Sequence, residues 1–251
     1  MNTNAVKELL YKMADDLLII GHRNSEWTGL GPILEEDISF SSMAQDKIGQ
    51  SQALFQLLHE LGEQEPDTVA FMRNATLFHN AQFVELPNGE YDFSLVRHFL
   101  FDNADQLRFE SLAKSSYEPL AKVAKKVKGE LKYHVFHANT WLVKLGQASE
   151  YSNKRMQEAL DIAWNYALGM FEESPFEDAL VNEGIFEGEN VLKDKWLETI
   201  TPILLKAGLK IPTGNTWSPI IGGRICQHTE HLSPLVEEMS EVFRFDPTAE
   251  W

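Results

Sequence analysis

An all-α chain folded as an antiparallel helix bundle is the fold class that three features of the sequence predict. Apolar residues recur every three or four positions through long stretches, the period that lays a stripe along one side of a helix. The breaks between these stretches carry helix stops, at Gly29-Leu30-Gly31-Pro32, Gly62, Pro87-Asn88-Gly89 and Ser174-Pro175. One stretch, Tyr117 to Gly146, is unbroken: Leu120, Ala124, Val127, Leu131, His134, Ala138, Trp141 and Leu145 follow a strict alternation of four and three, as the buried seam of a long bundle helix does.

The elements follow in order. Residues 4 to 26 give a first helix, with Leu9, Met13, Asp16, Ile20 and Trp27 on one stripe. A second helix runs from Glu35 or Glu36 to Leu61 and is apolar on two sides: Ala44, Ile48, Phe55 and Leu58 form one line, and Met43, Asp46, Gln50, Leu57 and Leu61 another. A helix buried on two sides is expected to be central. Residues 66 to 92 are less regular, with a short helix near Thr68 to Arg73 and an unassigned apolar piece, Phe78 to Leu86. The third long helix covers Phe93 to Ser115, where Leu95, Phe99, Asp102, Phe109 and Ala113 align. The seam helix opens at Ser116-Tyr117-Glu118-Pro119, with the proline in the first turn, where its missing N–H is harmless.

Beyond Gly146 the pattern predicts helices over 153–172, 191–207 and 228–243, and an ordered wrapping loop over Lys210 to Arg224 that includes Trp217. No solenoid period, low-complexity tract or divisive linker interrupts the chain, so residues 1–251 read as one domain. Its core bundle would span about 4–146 and its C-terminal helices and loop about 150–251.

Composition narrows the function classes. With 22 Lys+Arg against 38 Asp+Glu the formal charge is -16, so the summed field repels phosphate backbones and anionic headgroups. Nucleic acid and membrane are therefore not expected as partners. The one cysteine, Cys226, cannot close an internal disulfide, and the early apolar run Leu17 to Ile20 is too short for a signal segment. A cytoplasmic location is expected.

Each bundle helix carries a polar residue in mid-stripe: Asp16, Asp46, Asp102 and His134. That is the arrangement of ferritin-like carboxylate bundles, in which two helices give one Glu each and two give a Glu-x-x-His pair. The chemistry needs the three-residue spacing, because i and i+3 project together and reach the same iron. Here Leu131 stands three residues before His134, with Glu130 four before, and Gly49 stands three after Asp46. Four side chains would remain where six ligands are usual. His134 accordingly reads as a buried core histidine hydrogen-bonded to Asp102, Asp46 or Glu130 rather than as a ligand.

Four stretches, GLGPILEEDISFSSMAQDKIG at 29–49, VELPNGEYDF at 84–93, 116–145 and HTEHLSPLVEEM at 228–239, together resemble the C subunits of phenylacetyl-CoA 1,2-epoxidases of aerobic phenylacetate degradation. The resemblance implies a ferritin-like homologue of the catalytic A subunit that has lost the di-iron centre and serves as its structural partner, itself non-catalytic. It places His134 where a second His ligand lies, puts Leu131 in place of the paired Glu, and sets Asp102 near a single acidic ligand. Asp16, Asp46, Asp102, Glu130 and His134 would then be vestigial metal-site positions. No cofactor is implied for this chain; the di-iron centre belongs to the catalytic partner, and NADPH with flavin and iron–sulfur to the reductase. The implied partners are the A subunit, the reductase and small accessory subunits.

Two further clusters stand out. Lys122, Lys125, Lys126, Lys128 and Lys132 are the basic cluster of an acidic chain, either a solvated helix face or a surface toward the phosphates of a coenzyme A ester. His228-x-x-His231 with Glu230 has the spacing of a metal pair, but near a helix start such residues more often cap the helix or meet a partner. The alternative to a structural subunit is a self-sufficient di-iron oxidase or oxygenase, which the missing ligands disfavour.

Overall fold

The computed structural model describes residues 1–212 and 218–249, and among these the chain is helical with no strand. Its long helices are α1 (Thr3–Ser25), α2 (Leu34–Glu60), α5 (Tyr91–Leu112), α6 (Glu118–Ala148), α7 (Glu150–Leu168), α9 (Glu189–Lys206) and α10 (Leu232–Phe245). Short helices are α3 (Pro66–Phe71), α4 (Gln82–Glu85) and α8 (Glu177–Asn182). The fold class is thus all-α, that of a ferritin-like helical bundle. No helix among the described residues is long and apolar enough to cross a membrane. Trp217 and Trp251 lie outside the described residues.

The chain divides into two compact units, each made of two segments: residues 1–5 with 88–221, and residues 6–87 with 222–251. In the first unit the centre is α5, which packs against α6, α7 and α9. Every residue from Ser94 to Asp105 is buried, so over that span α5 has no solvated face. α2, which the sequence pointed to as the central helix, leaves Gln45, Gly49 and Gln52 exposed, whereas within the first unit the C-terminal helices return to cover α5. They do so around Trp196 of α9, fully buried, stacked on Trp164 of α7 at 5.6 Å and donating its indole N–H to the Leu100 carbonyl at 2.9 Å. Arg108 of α5 and Glu189 at the start of α9, both buried, form a two-pronged ion pair whose Nη2–Oε2 distance is 3.1 Å.

The seam of α6 holds from Leu120 to Ala138 and then drifts. Leu142 and Gly146 are buried where Trp141 and Leu145 were expected, since 3.6 residues per turn do not keep a strict 3.5 repeat. Gly146 does not end the helix. It lies against α9, where a Cβ would overlap the Ala207 carbonyl. The helix ends at Ser149, whose extended backbone and side chain cap α7 by accepting the Ser152 N–H at 3.1 Å.

In the second unit α1 is buried through every residue from Lys12 to Gly21, a wider burial than the single stripe of the sequence. On one side lies α2, where Ser51 Oγ donates to the Ala14 carbonyl at 2.8 Å. On another lie the irregular residues 73–85 and the strap at 222–226, which Gly223 allows to approach so closely that a Cβ there would overlap the Asn80 carbonyl. The last helix begins at Leu232 rather than His228, because His228 and Thr229 are held by a carboxylate elsewhere in this unit.

Candidate functional site

Polar side chains are concentrated in the interior of both units. In the first, His98 and Asp102 stand four residues apart on α5 and His134 and His137 three apart on α6, spacings that align each pair on one side of its helix. All four are buried. His98 Nδ1 meets Asp102 Oδ2, and His98 Nε2 lies 3.3 Å from His137 Nδ1. Burial pushes the His98 imidazolium down from its ordinary value of 6.5, against the opposing pull of Asp102. A neutral His98 therefore donates Nδ1–H to Asp102 and accepts the Nδ1–H of His137 on Nε2, which fixes both tautomers. His134 Nδ1 is 3.7 Å from Asp102 Oδ1, within ion-pair range but long for a hydrogen bond.

The structure thus brings Asp102 and His134 together as the sequence suggested and adds two histidines that sequence reasoning missed. The signal was present, since His98 is four residues from Asp102 and His137 three from His134, but a search for apolar stripes passes over it. Asn103 extends the polar layer by donating to Asn139 Oδ1 at 3.0 Å. Glu130 is half-buried one turn before His134.

The second unit is organised by three carboxylates. Asp16 accepts from Arg224 on both oxygens, Nη1 to Oδ1 at 2.9 Å and Nη2 to Oδ2 at 2.7 Å, and from the Ala81 N–H at 2.7 Å. Its neighbour Asp15 holds Arg73 and the His79 N–H, with the Arg73 guanidinium 4.2 Å above the Phe78 ring. Glu85, fully buried, accepts from His228 Nδ1 at 2.6 Å, from the Thr229 N–H and Oγ1 at 2.7 Å each, and from Asn80 Nδ2 at 3.0 Å. His228 Nε2 faces the Phe78 carbonyl at 2.9 Å. These anchors tie the irregular segment 73–85 and the strap 222–229 to α1. Along α2 the buried polar residues are Glu36, Lys47, Gln50 and Ser51, and Asp46 is half-buried beside Lys47.

His228 and His231 do not converge on one point. His228 turns inward to Glu85, whereas His231 is about a third exposed and 3.9 Å from a Glu230 oxygen. Lys122, Lys125, Lys126, Lys128 and Lys132 of α6 are all exposed, and Lys122 pairs with Glu118 at 3.1 Å.

Comparison with known proteins gives two findings. The sequence profile of the family described as phenylacetic acid catabolic protein matches residues 1–251. The chain is also 30% identical over 249 residues to the C subunit of the 1,2-phenylacetyl-CoA epoxidase of Escherichia coli (strain K12), covering 99% of this chain and 100% of that protein.

Proposed function

Because the chain belongs to the phenylacetic acid catabolic protein family, we propose that it is a subunit of a phenylacetyl-CoA epoxidase and that its part there is structural, pairing with a catalytic homologue that carries the iron. The observation that carries this reading is the closure of Asp16 by Arg224. Asp16 pairs both oxygens with a buried guanidinium, a cation that does not deprotonate and that already supplies the positive charge a metal ion would otherwise bring to that carboxylate. The residues present do not fit a carboxylate-bridged di-iron centre: α2 offers buried Lys47, Gln50 and Ser51 rather than a Glu-x-x-His pair, and Leu131 stands where α6 would need a carboxylate.

On this reading the Asp102–His98–His137 chain is what holds α5 and α6 in register. The partner would supply the iron, and a reductase with NADPH the electrons. The test is the metal content of this chain expressed alone in iron-supplemented medium, together with its mass by light scattering on mixing with the purified catalytic homologue. Substoichiometric iron and a stable complex are expected. Two irons per chain, lost in Asp102→Ala and His134→Ala variants that remain folded, would overturn the reading in favour of a self-sufficient di-iron enzyme.

A further inference from the structure

The outward face of α6 has a construction that the interior does not explain. Two helical rows cross it: Lys122, Lys126, Gly129 and Tyr133, and Lys125, Gly129, Lys132 and Phe136, each stepping by three or four residues. Gly129 is the residue common to both rows. It is exposed, and a Cβ built there would meet nothing within 4 Å, so no packing inside the chain calls for glycine. A glycine in a solvated helix interior is less favourable than alanine, because it loses more backbone freedom on folding. On its C-terminal side, Tyr133 is 50% exposed and Phe136 69% exposed. Among the described residues Lys125, Lys126, Lys128 and Lys132 form no ion pair. A shallow notch at Gly129, edged by Lys125 and Lys126 on one side and by Lys132 and Tyr133 on the other, on a chain of net charge -16, calls for a ligand of opposite charge with an apolar ridge.

We propose that this face docks a carboxylate-bearing helix of the catalytic homologue, whose side chains enter the notch over Gly129 while its acids meet the lysines. The inference rests on the structural-subunit reading for the existence of that partner and adds where and how the partner is held. Charge decides the orientation: an acidic partner is repelled by most of this chain's surface and attracted here, which favours one docking register and a fast encounter. Burying Phe136 adds apolar transfer to the charge attraction. A coenzyme A ester is the weaker candidate, since the positive charges extend about 15 Å along a convex helix, from Lys122 to Lys132, with no concave wall to enclose a nucleotide.

The experiment measures the dissociation constant between the full chain and the purified catalytic homologue by sedimentation velocity, at low and high salt. Lys125→Glu with Lys132→Glu is expected to weaken binding about ten-fold or more and to flatten its salt dependence. Gly129→Leu should weaken it comparably while raising the thermal stability of the free chain, an outcome that a merely structural glycine would not give. Lys154→Glu with Lys206→Glu, which makes the same charge change at exposed sites elsewhere, should leave binding within about two-fold. If the α6 variants bind like the wild type, the docking face lies elsewhere, and the inference falls while the subunit reading stands. If the wild-type chain forms no complex, both fall. Calorimetric titration with coenzyme A completes the set: binding abolished by the α6 reversal, with partner binding unchanged, would assign the face to the anionic cofactor and overturn the proposal.

Discussion

Arg224 closes both oxygens of Asp16, with Nη1 2.9 Å from Oδ1 and Nη2 2.7 Å from Oδ2, across 208 residues of sequence. The pair is buried, and a guanidinium fork matched to a carboxylate is the geometry in which such a bond is strongest. Asp16→Ala removes the carboxylate and leaves the cation buried. The expected cost is about 3–5 kcal/mol, whereas the double variant Asp16→Leu with Arg224→Met should regain much of it, because no charge is then buried. Denaturant unfolding of the single and double variants checks this. Equal destabilisation by both would show that the packing of the strap matters more than the charge.

Glu85 gathers four hydrogen bonds, three of them from residues at the junction of strap and last helix. Glu85→Gln keeps the shape but replaces an acceptor oxygen by a donor amide facing other donors. Charged hydrogen bonds contribute about 1.5–3 kcal/mol each to the groups they satisfy. Amide exchange should therefore accelerate at residues 226–232 and stay unchanged in α5 and α6. Uniform acceleration along the chain would mean that Glu85 is a global rather than a local anchor.

The pH dependence has a definite sign. Burial lowers His98 and likewise His22, where Glu238 opposes it, so folding favours the neutral rings. The stability they contribute is fully present above the unfolded value of 6.5 and is lost as pH falls below it toward the lower folded values. The unfolding midpoint should drop between about pH 7.5 and pH 5.5, and His98→Gln should shrink that drop. A midpoint that rises on acidification would contradict the direction.

Trp196 fills the space between α5, α7 and α9, and its N–H satisfies a carbonyl of α5. Trp196→Ala should cost about 3–5 kcal/mol through the cavity it leaves. Trp196→Phe should cost less, since the ring is kept and only the indole N–H that the Leu100 carbonyl accepts is lost. Thermal unfolding followed by fluorescence and by circular dichroism separates the two. Little change in Trp196→Ala would mean that the C-terminal helices are not part of this core.

What the sequence disclosed and what it hid divide along the range of the interactions. The helices of the bundle were legible because a period of 3.6 is written locally, and the seam from Leu120 to Ala138 holds residue by residue. The centrality of α5 was not, since Trp164 and Trp196, which cover it, arrive from helices whose order in space no local period encodes. Asp16 stood out as a polar intruder in an apolar stripe, yet its partner sits in a strap without periodicity. Its pairing with Arg224 could not be read locally. The His98–Asp102 pair was visible in its spacing and was lost because a buried histidine does not extend an apolar stripe. The α6 lysines were visible too, but not the bare notch at Gly129, which needs coordinates.

The most direct measurement of the central claim is NADPH-driven oxygenation of phenylacetyl-CoA by the purified catalytic homologue and reductase, with and without this chain. The account predicts that this chain alone is inactive, and that adding it raises turnover and keeps the catalytic homologue soluble. It also predicts that the His134→Leu variant of this chain supports the same rate, because no reacting atom depends on that ring. Full turnover and solubility without this chain, or loss of turnover in an assembly that forms normally with His134→Leu, would contradict it.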